Sequence, residues 1–536
     1  MQNSNFEDNL RFFKDLLPYG IFYELIRNKN SFFKIEIKES ENYFEIKVKD
    51  DLHIKIDKEV KYLPPNSKII VFTSFLSFCI YQKNITQEQE LFIILLEDLY
   101  YLGSIFLSFN LKEIIQYKDK IFFIKSDYDI DFLINFLNKN LSLLSNPIIN
   151  IKIDRYDEII SENHKILIYN FASKLNEFLI DYNTHLIMLP KQIINTIENI
   201  KYIKKTVDII QNKDNITLVV SAGPSLNDQL EKIKKLKDFC LIIVVDTALR
   251  FLLKNGIEPD LIIALDPQVL NFLDFLGINN LKNSILAIEI SSTYKITEKF
   301  KDYENTIFFT GLLPSSEKKE LFLPVNNLSD FICKTYSLYQ IPVYGNVGLA
   351  AISFATKISN NIILAGFDSS FNSLVYHCKE TLDINYHLNR QNYLNPALSK
   401  LNLEALAISY KNNKRNSILL EKNKNIFNKN FPDNNFIYIE NISKINKDSI
   451  QVLINNNQYN FDLLKKNKKQ NLINYLKTKK VENIYYNKDE NRYEIDKFKN
   501  LFKKSIDDSF KFFEIAREKS KNKIENSLKR LFQNYL

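Results

Sequence analysis

At 536 residues the chain exceeds what one hydrophobic core normally holds, so two to four domains are expected. Hydrophobic residues at 45% and aromatics at 13% exclude a disordered chain. The net charge of +8 lies wholly beyond residue 400, where 28 Lys+Arg face 16 Asp+Glu, leaving −4 for the first 400 residues; clustered charge attracts acidic partners, although a composition rich in Lys, Asn and Ile without Trp is also what an AT-rich genome encodes.

The first residues, MQNSNFEDNLRFF, show no basic stretch followed by an apolar run, so no signal peptide is expected. IIVFTSFLSFCIY (69–81) is too short to span a bilayer, and the stretch from Leu91 carries Glu97 and Asp98. The four cysteines, Cys79, Cys240, Cys333 and Cys378, are far apart with no CxxC, which argues against a disulfide framework or a zinc site. A cytoplasmic protein with no membrane span is the expectation. Strand-like runs at 33–38, 43–48, 68–73, 91–96 and 120–124 mix with helical patterns, giving a smaller α/β domain over 1–155. A helical connector follows over 156–210.

From 211 to 400 short β runs alternate with helical patterns. ITLVV (216–220), LIIVV (241–245), LIIAL (261–265), SILAIEI (284–290), TIFFT (306–310) and NIILA (361–365) read as strands buried on both faces, and 225–236, 247–255 and 347–359 read as helices. The fold class is therefore α/β, with a Rossmann-like doubly wound, mostly parallel central sheet. Seven of the nine glycines fall between Gly223 and Gly366. A chain so sparing with glycine keeps it where the backbone must turn tightly or be approached closely. Residues 401–536 read as a basic, mainly helical C-terminal domain, with β pieces at FIYIENI and SIQVLI and a heptad-like basic helix over 496–534.

Polar corners follow four of the central strands. The first is Gly223-Pro224-Ser225, where strand, tight turn and helix N-terminus present backbone N–H groups suited to a phosphate. The others are Asp246-Thr247, Asp266-Pro267 and Gly366-Phe367-Asp368. In a parallel sheet these corners share one edge, where open α/β folds bind ligands, and carboxylates there can hold ribose hydroxyls or base amines. Asp246 and Asp266 could equally be helix caps, the latter with Pro267 in the first helical position. The corner is neither a Walker A loop nor a GxGxxG fingerprint.

The strings SAGPSLND, VVDTALRFLLKNGIEPDLIIALDP, YGNVGLAAISFA and IILAGFDSSF resemble the motility-associated factor (Maf) family of bacterial flagellin glycosyltransferases. The resemblance covers about 160–370 and includes the helical lead-in NTHLIMLPKQIINTIENI. It implies a fold similar to that of bacterial sialyltransferases, which use CMP-activated sugars. On that model Gly223, Pro224 and Ser225 hold the nucleotide, Asp246, Thr247 and Asp266 line its pocket, and Asn346 with Gly348 shape the opposite wall. Asn346 stands where the family carries a small serine-type residue.

Transfer of the sugar needs a base for the acceptor hydroxyl and donors for the departing phosphate. His377 is the candidate base, with His387 also in this polar segment; Asp368 is its orienter or a sugar contact, and Tyr376 and Tyr386 are the phosphate donors. No metal-ligand set is evident and no cofactor is expected beyond the CMP-sugar donor. The expected function is transfer of a nonulosonic acid, of pseudaminic, legionaminic or sialic type, to Ser or Thr of flagellin, met through the basic C-terminal helices. Nucleic acid is not an expected partner. One alternative is an ATP- and magnesium-dependent pyrophosphokinase of the 6-hydroxymethylpterin type, with Asp246, Asp266 and Asp368 on the metal. Another is a non-catalytic flagellar assembly factor.

Overall fold

The structure is a computed structural model that describes residues 2–14, 17, 21–28, 32, 35–39, 43–47, 53–57, 68–81, 89–96, 98–140, 143–144, 148–151, 161–209, 216–279, 281–312, 327–368, 377–381, 408–411, 414–431, 435–442, 476–480, 499–507 and 520–527. The chain divides into two units, Met1–His185 and Leu186–Leu536.

In the first unit two helices, α1 (Gln2–Phe13) and α2 (Ile21–Arg27), precede an antiparallel sheet of β1 (Glu36–Glu39), β2 (Tyr43–Lys47) and β3 (His53–Asp57). A second sheet holds β4 (Ile69–Phe72), β5 (Leu91–Leu95), β6 (Ile121–Ile124) and β7 (Ile149–Ile151) in the order β6-β5-β4-β7, all parallel. The helices α3 (Phe75–Tyr81), α4 (Leu99–Ser108) and α5 (Asp127–Lys139) lie between these strands in sequence. The core is dense in phenylalanine: Phe6, Phe13, Phe72, Phe75, Phe78, Phe92 and Phe106 are almost wholly buried. Their rings meet at 5–6 Å, edge-on or tilted, a geometry aromatic pairs favour. The capping box expected of a strong start opens α5, with Ser126 and Asp129 bonding reciprocally.

The helix α6 (Glu162–Asn199) begins in the first unit and ends in the second. At its start, buried His164 places its ring nitrogens 3.0 and 2.8 Å from the carbonyl oxygens of Leu96 and Thr73 at the ends of the parallel strands. After it, β8 (Lys205–Ile209) pairs antiparallel with β19 (Leu476–Lys480), so the end of the segment read as helical is extended. The β-branched Thr206, Val207 and Ile209 explain the change.

The second unit is built on β9 (Ile216–Val220), β10 (Leu241–Val245), β11 (Leu261–Ala264), β12 (Ile285–Glu289), β13 (Thr306–Leu312), β14 (Tyr339–Pro342), β15 (Asn361–Ala365) and β18 (Asn435–Tyr438). The order is β14-β13-β12-β11-β10-β9-β15-β18, and every pair is parallel. From β9 the chain winds outward to β14, then returns to place β15 on the other side of β9. Strands β9 to β12 are buried along their whole length, as apolar runs without alternation require. Helices α7 (Leu226–Leu236), α8 (Asp246–Lys254), α9 (Tyr294–Lys299), α10 (Asn327–Tyr336) and α11 (Val347–Ile358) fill the connections. A hairpin, β16 (Ile408–Lys411) with β17 (Lys414–Ser417), then leads into α12 (Ile418–Asn430).

The strand β18 comes from the stretch read as C-terminal, yet it completes the central sheet. Gln229 on α7 donates to Glu440, and Lys232 donates to the carbonyls of Ile439, Glu440 and Ile442, tying the turn after β18 to the helix after β9.

Two glycines separate conformational need from close approach. Both Gly256 and Gly366 have positive φ, but a Cβ on Gly256 would meet nothing within 4 Å, whereas one on Gly366 would lie 2.3 Å from the Ser221 carbonyl oxygen. Gly256→Ala is expected to cost about 1 kcal/mol, from backbone strain alone. Gly366→Ala adds a collision between two strand ends and is expected to cost about 3 kcal/mol or more, read from the urea midpoint.

Candidate functional site

The return from β14 to β15 creates a topological switch between β9 and β15, and in open parallel sheets ligands settle outside the strand ends at such a point. Gly223-Pro224-Ser225 follows β9 and Gly366-Phe367-Asp368 follows β15, so the two corners lie side by side across the switch. They are bonded to each other. Ser221 N–H donates to the Ala365 carbonyl at 2.8 Å and Gly223 N–H to the Gly366 carbonyl at 2.9 Å.

Asp368 lies against Gly223. Its Oδ2 accepts from the Ser225 N–H at 3.0 Å and from the Ser225 hydroxyl at 2.9 Å. A Cβ on Gly223 would sit 2.1 Å from that oxygen and 2.4 Å from the Gly366 carbonyl, so only glycine allows the approach. The Gly223 and Ser225 amides that the sequence assigned to a phosphate are therefore engaged by protein acceptors. The physical reason is the same one that suits phosphate: the N-terminus of α7 attracts an anion, and the neighbouring strand supplies a carboxylate. Gln229, buried one turn along α7, donates to the Ser225 hydroxyl and accepts from the Gly366 N–H, closing the network.

Asp246 opens α8 directly after β10 and is wholly buried. Its Oδ1 accepts from the Thr247 N–H at 2.8 Å and the Thr247 hydroxyl at 3.3 Å, while its Oδ2 is buried with no hydrogen bond of normal length and angle. Burial pushes this carboxyl up to about 8, and Asp274 and Asp266 add to the rise; the Thr247 N–H and the Asn271 amide act against it. Asp266 follows β11, where its Oδ1 accepts from Gln268 N–H at 2.7 Å and starts a short 3₁₀ helix, Val269–Phe275. Burial raises its carboxyl as well, with Gln268 and Lys191 opposing. Thus each aspartate accepts from one nearby backbone N–H without standing at the N-cap, a position held by Val245 and Gln268, and the charges of Asp266 and Asp274 both bear on Asp246. Among the described residues no three His, Cys, Asp or Glu groups have the arrangement of a metal site.

Asn346 caps α11, its side-chain oxygen accepting from Gly348 N–H at 2.7 Å and Leu349 N–H at 3.2 Å. A Cβ on Gly348 would lie 3.0 Å from that oxygen and from the Phe367 ring, so this glycine admits the residue before Asp368. His377 begins a short piece, 377–381, stitched to the first corner: Cys378 N–H donates to the Ala222 carbonyl at 2.7 Å and Lys379 N–H to Asn227 at 3.0 Å. Glu380 pairs with Lys254 at the end of α8. Buried Cys378 has its thiol pushed up to about 12, chiefly by burial, with Asp274 and Asp368 among the charges that add to it. His377 is thus held beside the Gly223 corner. Tyr376, Tyr386 and His387 lie outside the described residues.

Several residues of this edge were not assigned to it from the sequence. Asp274 and Asn271 reach Asp246 only because the 3₁₀ helix folds over α8. Glu289, buried at the end of β12, accepts from the N–H groups of Ser291 at 2.6 Å and Gly311 at 3.2 Å, and burial raises its carboxyl. Asn195 and Asn199, one turn apart on α6, donate to the carbonyls of Pro267 and Ser291 and of Ile290 and Ser292. The i, i+4 spacing of those asparagines was the available clue.

Residues 194–373 match the model of a protein family described as 6-hydroxymethylpterin diphosphokinase MptE-like. An uncharacterized protein of Treponema pallidum (strain Nichols) is 29% identical over 112 residues, which are 19% of this chain and 52% of that one. The chain thus spans about half the length of the curated relative it matches. Among solved structures, a MAf glycosyltransferase from Magnetospirillum magneticum AMB-1 aligns over 70% of this chain and 65% of its own, at 14% identity and a TM-score of 0.42. The family match falls on the segment that carries the corners and the resemblance read from the sequence: residues 194–373 are similar to the MptE-like domain family.

Proposed function

We propose that this protein is a glycosyltransferase that moves a nonulosonic acid, of pseudaminic, legionaminic or sialic type, from a CMP-activated donor to Ser or Thr of flagellin. The observation that carries a ligand site is Asp246: a wholly buried carboxyl, at the strand-end edge of a parallel sheet, with one oxygen that has no hydrogen bond of normal length and angle. Such buried polar atoms are few in folded proteins, and at a strand-end edge they mark places where a ligand can bind. The choice of ligand rests on the strings that resemble the Maf family.

The acceptor hydroxyl oxygen forms a bond to the anomeric carbon as the bond to the CMP phosphate breaks. His377 takes the hydroxyl proton, and Tyr376 and Tyr386 donate to the departing phosphate. Asp246, protonated near neutral pH, donates a hydrogen bond to the nucleotide, with Thr247 and Asp266 beside it. Ser225 and Asp368 set the position of the first corner, and Asn346 and Gly348 that of the opposite wall. A monophosphate leaving group requires no metal to neutralise it. The protein acts in the cytoplasm, with the basic residues beyond 400 meeting flagellin. No helix among the described residues is long and apolar enough to cross a membrane.

The match of residues 194–373 to the 6-hydroxymethylpterin diphosphokinase MptE-like family favours a second reading, an ATP- and magnesium-dependent pyrophosphokinase. A thermal-shift panel separates the two. CMP, with or without magnesium, is expected to raise the melting temperature, by an amount equivalent to about 2.7 kcal/mol at a hundredfold excess over Kd. A response confined to ATP with magnesium would move the protein to the second class, and a flat panel would remove the nucleotide. With CMP binding intact, His377→Ala is expected to abolish flagellin modification in a transfer assay, with a loss on the order of a hundredfold or more. If the wild type binds CMP and transfers nothing, a non-catalytic assembly factor remains.

Asp246 also predicts a pH dependence. Its folded value of about 8 lies above the ordinary 3.8, so across that window the folded protein holds a proton that the unfolded chain has released. Stability of the unliganded protein is therefore expected to fall as pH rises from about 4 to about 8. Asp246→Asn removes this slope, and the variant is expected to be the more stable protein at pH 8 in urea unfolding. An unchanged slope would show that Asp246 is ionised in the folded state.

A further inference from the structure

The strand-end edge sets an electrostatic problem for any nucleotide. Asp246, Asp266, Asp274, Glu289 and Asp368 all stand on it. The first corner offers a phosphate no help, because its Gly223 and Ser225 amides already serve the Gly366 carbonyl and Asp368. The N-terminus of α7 thus has its anion, and a phosphate placed there meets a carboxylate of the same sign. A cation from elsewhere has to take that charge.

Neighbouring cations are committed. Arg250 donates to the carbonyls of Leu273 and Leu276, Lys254 pairs with Glu380, and Lys295 pairs with Glu298. Lys191 on α6 is different: it is exposed and makes no ion pair with any described residue. Its place is fixed by the residues that follow at intervals of four. Asn195 and Asn199 are buried, and Asn195 donates to the carbonyls of Pro267 and Ser291, both at 3.0 Å. Asn199 donates to the carbonyls of Ile290 and Ser292 and accepts from the Thr297 hydroxyl at 2.8 Å. This stripe of α6 therefore runs along the loops after β11 and β12. One turn before Asn195, about 6 Å along the axis, Lys191 stands on the same stripe where it reaches solvent. Pro267 directly follows Asp266, and the Lys191 charge bears on the Asp266 carboxyl.

We propose that Lys191 is the phosphate-binding residue of this edge, taking the anionic group of the bound nucleotide at the rim while Asp246 and Asp266 face its uncharged part. The proposal rests on the nucleotide reading above and moves the phosphate from the first corner, where the sequence put it, to the helical lead-in. An ammonium on a flexible stem suits the task, since it meets phosphate as a point charge and needs no fixed fork.

Titration calorimetry of the full chain with CMP and with cytidine tests this. Lys191→Gln is expected to raise the Kd for CMP about ten- to a hundredfold, the range of one hydrogen bond to a charged group. Lys191→Arg keeps the charge and is expected to retain most of the affinity. Cytidine lacks the phosphate, so its Kd, read by competition, is expected to be the same in the wild type and Lys191→Gln. An equal loss for CMP and cytidine overturns the inference, because it reports damage to the edge rather than a missing phosphate contact. Lys379 is exposed beside the first corner, and a loss at Lys379→Gln with none at Lys191→Gln also overturns it, by returning the phosphate to that corner. If ATP with magnesium is the nucleotide bound, ATP and adenosine replace CMP and cytidine. A wild type that binds no nucleotide removes the reading and the inference together, whereas nucleotide binding indifferent to Lys191 leaves the reading and removes the inference alone.

Discussion

The contact between the ends of β9 and β15 is the constraint on which the central sheet depends. At a topological switch two strands leave the sheet side by side and their connections diverge, so the backbone between them would ordinarily open a crevice. Here the crevice floor is sealed. Gly366 turns with positive φ against the Ser221 carbonyl, Gly223 accepts the Asp368 carboxylate where a side chain would stand, and Gln229 spans the two corners. Through α7, the turn after β18 and the piece 377–381 are then hung on this joint, with Gln229 and Lys232 donating to residues 439–442 and Asn227 accepting from the Lys379 N–H.

Along the strand-end edge lies a row of buried or half-buried carboxyls. Each has a local structural duty: Asp246 to Thr247, Asp266 to Gln268, Glu289 to Ser291 and Gly311, Asp368 to Ser225. A local backbone hydrogen bond and a ligand contact are thus not rival readings of such residues. A carboxylate has two oxygens, and one backbone N–H uses only one of them. At Asp246 the second oxygen is the informative atom, because burial has removed water as its partner.

The central sheet was legible because its strands are short apolar runs rich in β-branched Ile and Val and bounded by polar corners, and length and branching decide for strand where periodicity alone cannot. The two edge strands show where legibility ends. YQIP is half-exposed and ends in proline, and NFIY looked like an isolated β piece because its partner, NIILA, lies about seventy residues earlier. Nothing local marks so distant a pairing. The corner was equally legible as a place and not as a partner: strand, glycine and helix start announced an anion, and only the three-dimensional register shows that Asp368 supplies one. The lead-in helix was recognised, whereas its asparagines acquire meaning only once the loops after β11 and β12 stand against them.

The place of β18 bears on how the protein can be made. Until residues 435–442 have emerged, β15 has β9 on one side and open N–H and C=O groups on the other, and Gln229 and Lys232 lack their acceptors. A nascent chain that has just completed the central run of strands therefore carries an unprotected, apolar parallel edge through the synthesis of some seventy further residues, the state in which chains associate with one another. Truncation anywhere between β15 and β18 would make that transient state permanent. The stretch beyond residue 400 thus supplies the strand that finishes the central sheet and shields it, whatever else its positive charge attracts.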